Sequence, residues 1–158
     1  MFIVFFSTLN NSYSETNSSE DNGIISIMYH RFEENKYPST NIRLEDFKSH
    51  IQIIKESNFE FISHGEFKKY LNIKNKKKKI LLTIDDGFSS FYLNAWPILK
   101  KDKIPFILFV STETVGKKGY MSWDEIVKIS KEDFVFIGNH SHSHEYLVKY
   151  KFEEFKKD

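Results

Sequence analysis

Apolar positions fall into two kinds of pattern along this chain. The first is the short unbroken run: Ile24-Ile25-Ser26-Ile27-Met28-Tyr29, Phe59-Glu60-Phe61-Ile62, Ile80-Leu81-Leu82-Thr83-Ile84, residues 106–110 and Phe134-Val135-Phe136-Ile137-Gly138. Such runs, closed by turn residues, predict about five strands, mostly buried. The second is helical spacing. Phe47, Ile51 and Ile54 fall at i, i+4 and i+7, with Glu45 and Asp46 ahead of them where they complement the helix dipole, so residues 44–57 are expected to be helical. Ser63 with Glu66 and Ser122 with Glu125 have capping-box spacing, and open helices to about residues 71 and 131. Residues 88–101 are expected to be a helix kinked at Pro97, where a backbone donor is missing. Residues 152–158 look like the first turns of another. Strand and helix alternate throughout, which argues for a parallel α/β sheet or barrel.

The polar stretches organise the rest. Residues 10–22 are rich in Asn, Ser and Glu and read as a flexible linker. Five lysines within residues 74–79 read as a solvated loop before the central strand. The opening Met-Phe-Ile-Val-Phe-Phe is too short to span a bilayer, which takes about 20 residues, so no stable membrane insertion is expected. It resembles the apolar core of a secretory signal, and Ser12-Tyr13-Ser14 has the form of a cleavage site, although a basic leader is missing. The expectation is a clipped signal over residues 1–14, a linker over 15–22 and one ordered domain over 23–158, in an extracytoplasmic protein.

Composition narrows the chemistry. At 158 residues there is room for one domain with a real core. A net charge of +1 gives no broad footprint for nucleic acid. The absence of cysteine excludes disulfides, thiolate ligands and a cysteine nucleophile.

Two strand ends carry the candidate chemistry. The run at residues 80–84 delivers Asp85-Asp86-Gly87, and two adjacent aspartates cannot both be buried unpaired without a cost of several kcal/mol. The run at residues 134–138 delivers Asn139-His140-Ser141-His142-Ser143-His144, which holds three of the chain's six histidines. His140 and His144 are four apart, so a helical turn or a tight loop can aim both at one point. In a parallel arrangement both ends open on the same face. A histidine cluster at one strand end and an aspartate pair at another can supply imidazole and carboxylate ligands to one metal site.

Thr83-Ile84-Asp85-Asp86-Gly87 resembles the Thr-Phe-Asp-Asp-Gly motif of the polysaccharide deacetylases, the NodB-homology domain of carbohydrate esterase family 4. His140-Ser141-His142-Ser143-His144 is similar to that family's His-Ser/Thr-x-x-His motif, in the same order and separation. Tyr29-His30 and Met121-Ser122-Trp123 resemble segments of the subgroup acting on poly-N-acetylglucosamine. The resemblance covers residues 24–158, with the NodB-homology core from about residue 78. It implies the N-terminal portion of a distorted (β/α) barrel. It also implies a divalent metal, zinc or else cobalt, nickel or iron, held by Asp86, His140 and His144. Asp85 would be the general base towards water, His30 a substrate-side residue, and an N-acetylated polysaccharide the substrate, cut to an amine and acetate. The family's later motifs, an orienting arginine and a Leu-His supplying the general acid, are not identifiable in these residues. The alternative expectation is therefore a truncated remnant that binds metal or glycan without turnover.

Overall fold

The computed structural model describes residues 23–71, 73 and 77–158. The expected signal at 1–14, the linker at 15–22 and part of the lysine run, residues 74–76, lie outside them. Five parallel strands make the main sheet: β1 (Ile24–Tyr29), β4 (Phe59–Phe61), β5 (Lys78–Ile84), β6 (Phe106–Val110) and β7 (Val135–Asn139). Two short strands, β2 (Arg31–Phe32) and β3 (Asn41–Ile42), pair beside it. Strands of two residues leave no periodicity to read in the sequence.

β5 is the centre of the sheet. From Lys79 to Ile84 every residue is buried, as a strand covered on both faces requires. One edge pairs with β1 from Lys79 to Ile84. The other edge is shared. β4 takes Lys78 to Ile80 and β6 takes Thr83 and Ile84, so the sheet forks at β5. β7 pairs with β6 along its whole length and is an edge strand among the described residues.

Alternation along the strands sorts two apolar layers. Leu82, Ile84, Phe106, Leu108 and Val110 point to the face covered by α1 (Leu44–Glu56), α3 (Trp96–Asp102) and α4 (Trp123–Ser130), where they meet Phe47, Ile51, Leu99, Ile126 and Ile129. Leu81 and Ile107 point the other way and join Ile62, with Phe67, Tyr70 and Phe109 packed around them. Both capping boxes form as the spacing predicts, at Ser63 and Ser122. The first opens only a 3-10 turn (His64–Glu66) and one turn of helix, α2 (Phe67–Tyr70).

The structure refines three expectations. Pro97 sits in the first turn of α3, and the turn before it, Phe91–Ala95, is a π-helix in which the Trp96 N–H reaches back to the Phe91 carbonyl. The widened turn lets the helix continue past a residue that cannot donate. Lys78 and Lys79 belong to β5 and not to a solvated loop. Lys79 is buried, paired with Glu60 at 2.6 Å and lying 4.3 Å from the centre of the Tyr70 ring. A long aliphatic stem can cross an apolar layer while its ammonium finds a carboxylate. The last helix, α5 (Phe152–Phe155), is a single turn after a 3-10 turn at Leu147–Lys149, shorter than the turns expected over residues 152–158. No helix among the described residues is long and apolar enough to cross a membrane.

Candidate metal centre

The site grows from the C-terminal ends of β5 and β7. The ladder between β5 and β1 runs one residue beyond the strand, because the Asp85 N–H donates to the Tyr29 carbonyl at 2.9 Å. The chain then turns through two left-handed residues, Asp86 and Gly87, both with φ of 71°. Glycine enters that region freely, and aspartate is among the few other residues that do so at modest cost. This reversal is what separates the two carboxylates. Asp85 stays against the sheet, 7% exposed, while Asp86 is half-buried and turns towards β7.

Beyond β7, the His140 N–H donates to the Val110 carbonyl and its own carbonyl accepts from Ser111 Oγ at 2.9 Å. The five residues to His144 form a tight loop and not a helical turn. Ser141 and His144 are left-handed, with φ of 65° and 58°. The loop lies along residues 111–113: Thr112 N–H and Glu113 N–H donate to the carbonyls of Ser141 and His142.

The turn and the loop bring three potential ligand atoms together. Asp86 Oδ1 is 3.2 Å from His140 Nε2 and 3.3 Å from His144 Nε2, and the two nitrogens are 3.0 Å apart. Three atoms at those spacings lie on a circle of about 1.8 Å radius, smaller than the ~2.0–2.2 Å of a metal–nitrogen or metal–oxygen bond. A single point can therefore lie at bonding distance from all three. The donor chemistry fits as well. Asp86 Oδ1 is buried and makes no hydrogen bond despite its two imidazole neighbours. An acceptor-only oxygen and two imidazole nitrogens facing one point could hold a cation between them.

Asp85 completes the group. Its Oδ2 lies 4.0 Å from His140 Nε2, and its Oδ1 is buried without a partner. Burial pushes its carboxyl above the usual carboxylate range, and the negative charge of Asp86 adds to this; His140, His30 and His144 pull the other way. His30, half-buried between β1 and β2, is thus near enough to act on the same carboxylate. A cavity of about 200 Å³ opens beside the three ligands, lined by Asp86, Ser111, Thr114, Tyr120, Ser143 and His144. A larger cleft of about 420 Å³ lies in the helix layer between α1 and α3, and none of the candidate residues lines it.

Sequence reading missed three contributors. Ser111, 1% exposed, holds the His140 carbonyl from the end of a third strand, a position that parallel topology could have flagged. Tyr120 reaches the cavity through its bridge with Phe88, the residue after the Asp-Asp-Gly turn. Phe109 packs at the root of the loop, its ring 6.2 Å from that of His140.

Comparison with known proteins gives a consistent result. A family model described as polysaccharide deacetylase matches residues 72–158, more than half of the chain. The poly-beta-1,6-N-acetyl-D-glucosamine N-deacetylase of Staphylococcus aureus is 34% identical over 90 residues, which is 56% of this chain and 31% of that protein. The chain thus matches about a third of the length of that curated relative. Among solved structures, IcaB from Ammonifex degensii superposes with a TM-score of 0.68 at 31% identity, covering 75% of this chain and 53% of that one. The Streptococcus pyogenes deacetylase PplD, in complex with acetate, also gives 0.68, at 22% identity over 81% of this chain and 60% of its own; at that identity the likeness is one of fold.

Proposed function

Since the chain belongs to the polysaccharide deacetylase family, we propose that it takes part in removing N-acetyl groups from an N-acetylglucosamine polymer outside the cytoplasm. The observation that carries this reading is the convergence of Asp86, His140 and His144 next to a separate buried carboxylate, Asp85. In this reading the first three hold a divalent cation, zinc in preference to cobalt, nickel or iron, all of which accept imidazole and carboxylate. When bound, the cation supplies Lewis acidity towards an acetamide carbonyl and lowers the pKa of water.

The remaining work falls to protein groups. Asp85 accepts a proton from the attacking water, its Oδ2 being the oxygen that lies towards His140. A carboxyl raised above the usual range is a stronger base than an ordinary aspartate and lies nearer neutral pH, where base catalysis is effective. The water oxygen bonds to the acetyl carbon, the carbon–nitrogen bond breaks, and the nitrogen takes up the proton that Asp85 accepted and leaves as an amine, with acetate as the second product. His30 serves on the substrate side, near enough for an imidazolium there to favour ionised Asp85. The cavity is lined by the hydroxyls of Ser111, Thr114, Tyr120 and Ser143, which suits a neutral, hydroxyl-rich sugar more than a charged ligand.

The test measures zinc stoichiometry and acetate release together, on β-1,6-linked N-acetylglucosamine oligomers and on chitin oligomers. The expected result is one zinc per chain, chelator-sensitive acetate release favouring the β-1,6 series, and an Asp85→Asn variant that keeps its zinc and loses release. One zinc bound with no acetate from either series would mean a binding protein and not a hydrolase.

A further inference from the structure

The loop that carries His144 needs something to hold it. Ser141 and His144 are left-handed without being glycine, and strained residues of this kind persist only where their surroundings over-determine them. The loop carbonyls at residues 140–142 are held by Ser111 Oγ and by the Thr112 and Glu113 N–H groups, all from the segment after β6. The Ser141 and His144 N–H groups are held within the loop, by Asn139 Oδ1 and Ser141 Oγ, and those of His142 and Ser143 are held by one residue outside it, Asp158. Its Oδ1 accepts from the Ser143 N–H at 2.8 Å and its Oδ2 accepts from the His142 N–H at 3.2 Å; its backbone oxygen also accepts from His142 at 3.1 Å. Successive N–H groups turned into one concavity form an anion nest, and hydrogen bonds to an ionised acceptor are roughly twice as strong as neutral ones. Ser143 and its neighbours hold the Asp158 carboxyl below the usual carboxylate range, as a group stabilised in its charged form should be.

We propose that Asp158 is a positioning residue for the metal centre: its carboxylate pins the backbone of His142 and Ser143 so that the His144 imidazole faces Asp86. This rests on the reading of Asp86, His140 and His144 as metal ligands. Asp158 touches neither ligand side chain and acts through the loop between them. Sequence spacing gives no hint of it, since it lies beyond a separate helical turn, α5.

Three variants, Asp158→Ala, Asp158→Asn and Asp158→Glu, decide the matter with two readouts. In the first, Zn²⁺ affinity is measured by competition with a chromophoric chelator, and the visible spectrum of the Co²⁺-substituted protein is recorded. Outer-shell partners of metal ligands typically account for about 10–100-fold in affinity, and Asp158→Ala should lose an amount in that range. Asp158→Glu should recover part of it, and the Co²⁺ bands should move in Asp158→Ala while the melting temperature of the metal-free protein does not. In the second, amide exchange of Ser143 is followed in metal-free protein and should quicken in Asp158→Ala. Unchanged affinity, unchanged Co²⁺ bands and unchanged exchange would overturn the proposal. A parent chain that binds no Zn²⁺ would overturn the metal reading instead. Exchange at Ser143 would then decide alone whether Asp158 anchors the loop.

Discussion

The ring of Phe109 occupies the space that a side chain at position 138 would need. A Cβ built on Gly138 would stand 2.5 Å from Phe109 Cδ1, 2.6 Å from Cε1 and 3.1 Å from Ile107 Cγ2. Glycine is required at this position of β7 for room and not for backbone freedom. The strand lies flat against its neighbour two residues before His140, whose ring is 6.2 Å from that of Phe109.

Gly138→Ala is therefore expected to destabilise the protein by about 1–3 kcal/mol, the usual cost of forcing a methyl into a filled layer. It should also weaken cation binding, because Phe109 can yield only by moving at the root of the His140 loop. Chemical denaturation and Co²⁺ titration would measure the two effects. Combining it with Phe109→Leu should recover part of both; additive losses in the double variant would show that the ring is not what the methyl meets.

Asp85 gives a pH prediction of opposite sign to most aspartates. Its folded carboxyl is raised by burial, so the folded chain holds the proton more tightly than the unfolded one. The stability this contributes is fully present below the unfolded value, near 3.8, and is lost as the pH rises through the folded value. Asp85→Asn removes the buried charge. In the presence of a chelator it should melt higher than the parent at pH 7 and show no advantage near pH 3.5. A lower melting temperature at pH 7 would mean that the ionised carboxylate has partners that stabilise it.

Lys79 and Glu60 should respond unequally to truncation. The lysine side chain is 7% exposed and the glutamate 47%. Removing glutamate strands a buried ammonium, whereas removing lysine leaves a carboxylate that water can reach. Glu60→Ala is expected to cost about 1–3 kcal/mol, and Lys79→Met much less or nothing. Urea titrations of the two variants would show the order, and equal losses would mean that the ammonium already reaches solvent.

At the start of α4, Ser122 Oγ accepts from the Glu125 N–H at 3.3 Å, while the Ser122 N–H donates to Glu125 Oε2 at 2.8 Å. Ser122→Ala should cost about 1 kcal/mol. Ser122→Asp should cost less, because its carboxylate can replace the hydroxyl as acceptor at the positive end of the helix. Thermal unfolding of both variants checks the order.

The parts legible in the sequence were those set by short-range pattern. Apolar runs marked the five strands of the main sheet, and the abrupt polar ends of β5 and β7 marked where Asp85, Asp86, His140 and His144 would sit. Capping boxes marked Ser63 and Ser122. What could not be read depends on distant partners. Lys79 looks like the end of a charged run until Glu60 and Tyr70 are brought against it. His64 looks like a surface cap, and it is exposed, yet its ring stacks on Phe136 at 3.6 Å, a contact that exists only once β7 is in place. Pro97 reads as a kink within one helix, and the π turn just before it stays hidden because it involves only backbone. Asp158 looks like one more surface acid.

The fork at β5 bears on the order in which the sheet can assemble. Pairing β4 with β5 closes only the loop at residues 62–77, and pairing β5 with β6 closes residues 85–105, whereas β1 must wait for everything between residues 30 and 77 to be gathered in. Had either β4 or β6 claimed the whole edge, the other sequence neighbour would have been displaced to a more distant partner. Divided between them, the edge lets both local strands zip onto β5 first, at low loop-closure entropy, and leaves the long-range closure by β1 to the end. The split edge thus lowers the entropic hurdle for a topology that parallel strands would otherwise make slow to nucleate.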